Sequence, residues 1–162
     1  MKQKYIDLYI DIAHRVAELS HARRLQVGAI IVKDDVVTYG YNGMPTGWDN
    51  NCEDTEVSYD LRDTYFSNDW KYDESTKQYS RLKTKPEVLH AESNAISKIA
   101  KSTVSAQDAD MFITHSPCIH CAKMIFQAGI SRVFYGKDYS SLDGVEFLKK
   151  SGIEVVKIDK QL

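Results

Sequence analysis

The residues with the clearest capacity for chemistry are His90, Glu92, Cys118 and Cys121. They fall in two short runs, His90-Ala91-Glu92 and Pro117-Cys118-Ile119-His120-Cys121. Cys118 and Cys121 have the i, i+3 spacing that puts both thiols on one helix face, and Pro117 marks the start of that helix. Thiolates at a helix N-terminus are favoured by the positive end of the helix dipole. His90 opens a second stretch of helical spacing, so two helix N-termini can converge on one ion. One imidazole and two thiolates suit zinc. Three protein ligands leave a fourth position for water, whose pKa zinc lowers towards about 7. Glu92, one residue removed from a ligand, can carry that water's proton without binding the metal.

The residues alone leave other uses open. Cys52 could be a fourth ligand and close a Cys3His structural site, although an acid beside a ligand has no task there. A Cys-x-x-Cys can also be a redox pair, a use that involves neither His90 nor Glu92. His120, His14 and His21 read as surface residues.

The elements that must hold these residues follow from hydrophobic spacing. Ile6, Tyr9, Ile10, Ala13, Val16, Ala17 and Leu19 recur at helical intervals and predict an amphipathic helix. Residues 27–32 are a continuous apolar run rich in β-branched side chains. Lys33-Asp34-Asp35 reads as a hairpin turn into a strand over 36–41, and 42–47 is a loop dense in Gly and Pro. Residues 48–85 give little periodicity. Val57, Leu61 and Tyr65 suggest one helical stripe, and the remainder reads as long loop rich in Tyr and Trp, suited to an interface or a second small core. Helices are then predicted over 91–100, from Pro117 to Gly129, and over 145–150 with Gly152 at the C-cap; strands over 111–114, 133–135 and 153–158. The predicted order α-β-β-α-β-α-β-α-β implies a three-layer α-β-α sandwich around a mixed five-stranded sheet.

Composition limits the rest. A chain of 162 residues suits a single domain spanning 1–162, and a formal net charge of -2 offers no basic stripe for a long nucleic acid. An odd cysteine count argues against a disulfide framework. No apolar run approaches a membrane span, which points to a cytoplasmic protein.

The motif pair has the His-x-Glu…Pro-Cys-x-x-Cys form of zinc deaminases, and the chain resembles the deoxycytidylate (dCMP) deaminases of the cytidine deaminase-like superfamily. The resemblance runs through Gln26-Val27-Gly28-Ala29, Gly40-Tyr41-Asn42-Gly43-Met44-Pro45-Thr46-Gly47, His90 to Ile96, Thr114-His115-Ser116-Pro117-Cys118 and Lys137-Asp138-Tyr139. It implies hydrolysis of dCMP to dUMP with catalytic Zn2+, activation by dCTP, inhibition by dTTP with Mg2+, and a homo-hexamer. It implies Asn42 for the sugar, Ala91, His115 and Ser116 around the base, and Gly43, Pro45 and Gly47 for an effector. Arg24 and Tyr139 are the candidates for phosphate. The segment Ser20-His21-Ala22-Arg23-Arg24-Leu25 is shorter and more basic than the usual family stretch, which commonly has an Asp-Pro there, and the extra arginine extends the expectation to dCTP as a second substrate. Superfamily alternatives are deaminases of adenosine in tRNA or of free guanine; a non-enzymatic zinc module is the alternative of another class.

Overall fold

The computed structural model describes residues 1–60 and 69–158. Among the described residues four helices and eight strands follow in the order α1 (Gln3–Ala17), β1 (Gly28–Lys33), β2 (Val36–Tyr41), β3 (Glu53–Ser58), β4 (Lys71–Asp73), β5 (Gln78–Thr84), α2 (Ala91–Ala100), β6 (Asp110–His115), α3 (Ile119–Gln127), β7 (Arg132–Lys137), α4 (Asp143–Lys150) and β8 (Glu154–Lys157). Five strands form one sheet in the order β2-β1-β6-β7-β8, and β3-β5-β4 form a second. In the large sheet β1 is antiparallel to β2 and β6, whereas β6, β7 and β8 run parallel. This is the mixed five-stranded sheet and layered architecture expected from the pattern.

Both faces of the large sheet are covered, which is why β1 and β6 read as unbroken apolar runs. On one face α1 lays Tyr9, Ile10, Ala13 and Val16 on Ile30, Val32, Phe112 and Phe134. On the other, Ala95 and Ile99 of α2, Ala122 and Ile125 of α3 and Leu148 of α4 pack on Ala29, Ile31, Met111, Ile113 and Val133. Leu19 does not join the α1 stripe: the helix ends at Ala17 and Leu19 is exposed. The hairpin turn is the pair Asp34-Asp35, at φ 49° and 63°. Two consecutive left-handed residues are what a two-residue turn between twisted strands requires, and aspartate tolerates that region.

Two glycines set how closely helices approach the site. A Cβ on Gly40 of β2 would lie 2.2 Å from the Ala91 carbonyl oxygen, so only glycine lets the first turn of α2 rest on the strand. A Cβ on Gly144 of α4 would lie 2.1 Å from the Pro117 carbonyl oxygen and 2.9 Å from that of Cys118. Helix α4 thereby seats directly on the corner that carries the cysteines.

The largest departure from the predicted elements is residues 48–85. Val57 lies in strand β3 rather than on a helical stripe, and Leu61 and Tyr65 fall outside the described residues. The segment builds the three-stranded antiparallel sheet. Its strands are polar on both faces and are tied by cross-strand pairs. Glu56 accepts from Arg81 at 2.7 Å and from Lys83 at 2.6 Å, and the Tyr72 ring lies tilted against that of its partner Tyr79 with centroids 4.9 Å apart. Trp70 takes the Arg81 guanidinium over its ring, while Trp48, Tyr59 and Tyr72 are exposed, so these three do not fill a second core.

Candidate active site

The site lies beyond the carboxyl ends of β6 and β7, where open α/β sheets place their ligands. β6 ends at His115, after which 116–118 turn into α3 with Cys118 as its N-cap; His90 is the N-cap of α2. Two helix N-termini therefore meet, as the two motifs require. The His90 Nδ1 atom stands 3.7 Å from Cys118 Sγ and 3.4 Å from Cys121 Sγ, and the three ligand atoms lie within 4.8 Å of one another. A tetrahedral zinc with ordinary Zn–N and Zn–S lengths separates nitrogen from sulfur by about 3.6 Å. The donor set and its spacing fit that ion. Cys52 is not part of this group: it is buried beside Ala22, Val88 and Met44, its thiol directed to the Asn50 carbonyl at 3.5 Å. The closed four-ligand reading therefore fails on geometry.

The electrostatics match. A hydrogen bond from the Cys121 thiol pulls Cys118 down to about 3, with His90 assisting and burial opposing. The same bond, burial and Glu92 push Cys121 up. The two thiols are thus coupled through one hydrogen bond, and both would deprotonate on a dication bound between them. His90 is raised, first by Cys118 and then by Glu92, against burial. Glu92 is 4% exposed, and its carboxyl is pushed above the usual carboxylate range chiefly by burial. The Cys121 thiol and the cationic form of His90 pull the other way. A buried carboxyl so poised takes up and releases a proton closer to neutral pH than a solvated one.

An open cleft runs from these residues, lined by Arg24, Leu25, Val27, Asn42, Thr84, Val88, His90, Ala91, Glu92, His115, Ser116, Cys118 and Tyr139. Every residue expected to meet base, sugar or phosphate is in that lining. Asn42 is already engaged: its Oδ1 accepts from the Val27 amide and its Nδ2 donates to the Leu25 carbonyl, both at 2.8 Å. One amide hydrogen stays available. Ser116 accepts the Tyr139 amide at 2.8 Å and so draws the 137–139 loop to the cleft. His115 sits 3.1 Å from the Thr114 hydroxyl; burial, then Lys137 and His14, lower its pKa, so it is neutral at physiological pH. Arg24 interacts with the Tyr139 side chain and pairs with Asp69 at 3.2 Å, and its pKa is raised, first by Tyr139.

Arg23 does not join Arg24. Its guanidinium is taken by Glu53 and by Asn51 Oδ1 at 3.0 Å, and it is not in the lining. Gly43, Pro45 and Gly47 are outside the lining as well. Gly43 forms a bridge with Leu89, which ties this loop to the residue before His90. Thr84, Val88, Leu25 and Val27 line the cleft without having been picked out from sequence. Apolar residues and a strand-end threonine carry no chemical signature of their own.

Comparison with known proteins agrees with this construction. Residues 3–137 match the family model described as the cytidine and deoxycytidylate deaminase zinc-binding region. ComE operon protein 2 of Bacillus subtilis is 31% identical over 91% of this chain and 67% of its own length. The deoxycytidylate deaminase of Enterobacteria phage T4 is 30% identical over 94% of this chain and 89% of its own. The crystal structure of the dCMP deaminase from cyanophage S-TIM5, in complex with dCMP and dUMP, superposes with a TM-score of 0.78 and 36% identity, covering 98% of this chain and 99% of that one. The chain belongs to the cytidine and deoxycytidylate deaminase family, and within it to the deoxycytidylate deaminases.

Proposed function

We propose that the chain hydrolyses dCMP to dUMP and ammonia, with residues 1–162 acting as one deaminase domain. One observation carries the reading. A single cleft has the His90–Cys118–Cys121 group and buried Glu92 in its walls together with the Arg24–Tyr139 pair. Proton-transfer chemistry and a phosphate-binding cation thus share one cleft.

His90, Cys118 and Cys121 would hold Zn2+. When bound there, zinc lowers the pKa of a water molecule towards about 7. Glu92 would take one proton from the attacking water and deliver it to the ring nitrogen N3, then take the remaining hydroxyl proton and deliver it to the departing amine. The water oxygen joins C4, the bond from C4 to the exocyclic nitrogen breaks, and ammonia leaves. The Ala91 amide and the Ser116 carbonyl read the edge of the base, while His115 packs against it as a neutral ring. The free amide hydrogen of Asn42 meets the sugar, and Arg24 with Tyr139 holds the phosphate. Among the described residues one guanidinium, that of Arg24, is in the lining, which favours a monophosphate.

The proposal includes control by dCTP as activator and by dTTP with Mg2+ as inhibitor, through the loop bearing Gly43, Pro45 and Gly47, in a homo-hexamer. The Gly43–Leu89 bridge supports it, because a shift of that loop is felt next to His90. Rates at subsaturating dCMP should rise with dCTP and fall with dTTP; identical curves would remove this part.

The test of the main reading is a deamination assay on zinc-loaded protein with dCMP, deoxycytidine, CMP and dCTP offered separately. dCMP should exceed deoxycytidine in kcat/KM by about a hundredfold, the worth of two charge-assisted phosphate contacts. No turnover of any of the four, with zinc bound, would overturn it.

A further inference from the structure

The three-stranded sheet sends one carboxylate into the main body. Glu53, the first residue of β3, is 1% exposed. Its Oε1 accepts the Arg23 amide at 3.0 Å and the Arg24 amide at 3.1 Å. Its Oε2 lies 3.3 Å from the Arg23 amide and 3.4 Å from Arg23 Nε, and Arg23 Nη2 returns to the Glu53 carbonyl at 3.2 Å. A buried carboxylate is costly unless donors surround it, and here residues 23 and 24 supply those donors. The strand partner of Glu53 is Thr84, which lines the cleft, as does Arg24. The backbone of Arg24, in the segment between α1 and β1, is therefore held by a charge from the small sheet, while its side chain meets Tyr139 and Asp69.

From this geometry we infer that Glu53 is a positioning residue for substrate phosphate: it locks the 23–24 backbone so that the Arg24 guanidinium is held ready in the cleft. The inference rests on the proposed reading of Arg24 as the phosphate contact. Without the lock the 23–24 segment samples other conformations, and each binding event must first order it. The base and the metal group do not depend on that segment, so the loss falls on recognition of the phosphate. Chemistry at the base is untouched.

The experiment compares Glu53→Gln with the parent, zinc-loaded, on dCMP and on deoxycytidine. KM for dCMP should rise about tenfold with kcat within about twofold, while kcat/KM for deoxycytidine stays within about twofold. An equal loss on both substrates, or no change on either, overturns the inference. Should Glu53→Gln fail to fold, Glu53→Asp keeps the charge and shortens its reach. The same split at smaller amplitude then supports the inference, and an unselective loss overturns it. Arg24→Ala separates the two layers. If it spares dCMP, the phosphate reading falls and takes this inference with it. If it is selective for dCMP but Glu53→Gln is not, only the inference falls. In the Arg24→Ala background, Glu53→Gln should add less than twofold, because the two act as one unit.

Discussion

The large sheet buries Ile30, Ile31, Met111, Phe112 and Ile113 between helices, whereas the small sheet leaves Val57 and Tyr72 in solvent and is tied by Glu56 to Arg81 and Lys83. Both reach the cleft. The strand ends and helix N-termini of the large sheet bring His90, Glu92, Cys118 and His115; the small sheet brings Thr84 and the Glu53 lock. Groups that must hold tight mutual geometry stand on the close-packed, dry half, where packing locks rotamers. Under the proposed phosphate role of Arg24, contacts to the far end of the substrate lean on the half tied by partly exposed ion pairs, each worth little.

The contrast can be broken most sharply at Glu92. Glu92→Gln should retain zinc, read by metal analysis, and lose about a thousandfold or more in kcat. Loss of zinc together with activity would show that the carboxylate supports the fold.

Next in size is a pair of truncations. Leu148→Ala, in the fully buried apolar cluster, should cost about 3 kcal/mol of unfolding free energy, and Val57→Ala on the small sheet less than about 0.5 kcal/mol. Urea midpoints measure both; equal costs would erase the distinction between the sheets.

Acid then probes the seam at His115. Its folded pKa lies below its unfolded value, so the unfolded chain binds more protons and stability falls as pH drops below about 6.5. His115→Gln should flatten that part of the urea-midpoint profile between pH 7.5 and 5.5. An unchanged slope would assign it to other groups.

The smallest effect belongs to Glu56, whose carboxylate Lys83 and then Arg81 hold below its usual range. Glu56→Gln should shift the midpoint slightly at low salt and not at 1 M salt, where screening removes the pair. A shift that persists in high salt would mean packing, not charge, joins these strands.

The same contrast explains what the sequence revealed. Period and run length exposed every element of the large sheet, because burial on both faces leaves a continuous apolar signature in β1 and β6. The motifs likewise displayed the metal group and Glu92, whose residue types have few other uses at that spacing. Strand β3, Glu-Asp-Thr-Glu-Val-Ser, has no apolar alternation to read, since its order comes from cross-strand charges that cannot be paired without the register. Glu53 was hidden for the same reason, being one acid among several until the fold set it against residues 23 and 24. The sequence singled out Arg24 of the adjacent pair, and the fold separates the two side chains: Glu53 and Asn51 take the Arg23 guanidinium, whereas Arg24 meets Tyr139 and Asp69.

Gly144 has a consequence for the metal group. It contributes no ligand, yet its missing side chain lets α4 press on Pro117 and Cys118. The placement of Cys118 is thus partly written in how α4 seats on its corner, so a substitution in α4 would reach the His90–Cys118–Cys121 group while leaving all three of its side chains as they are.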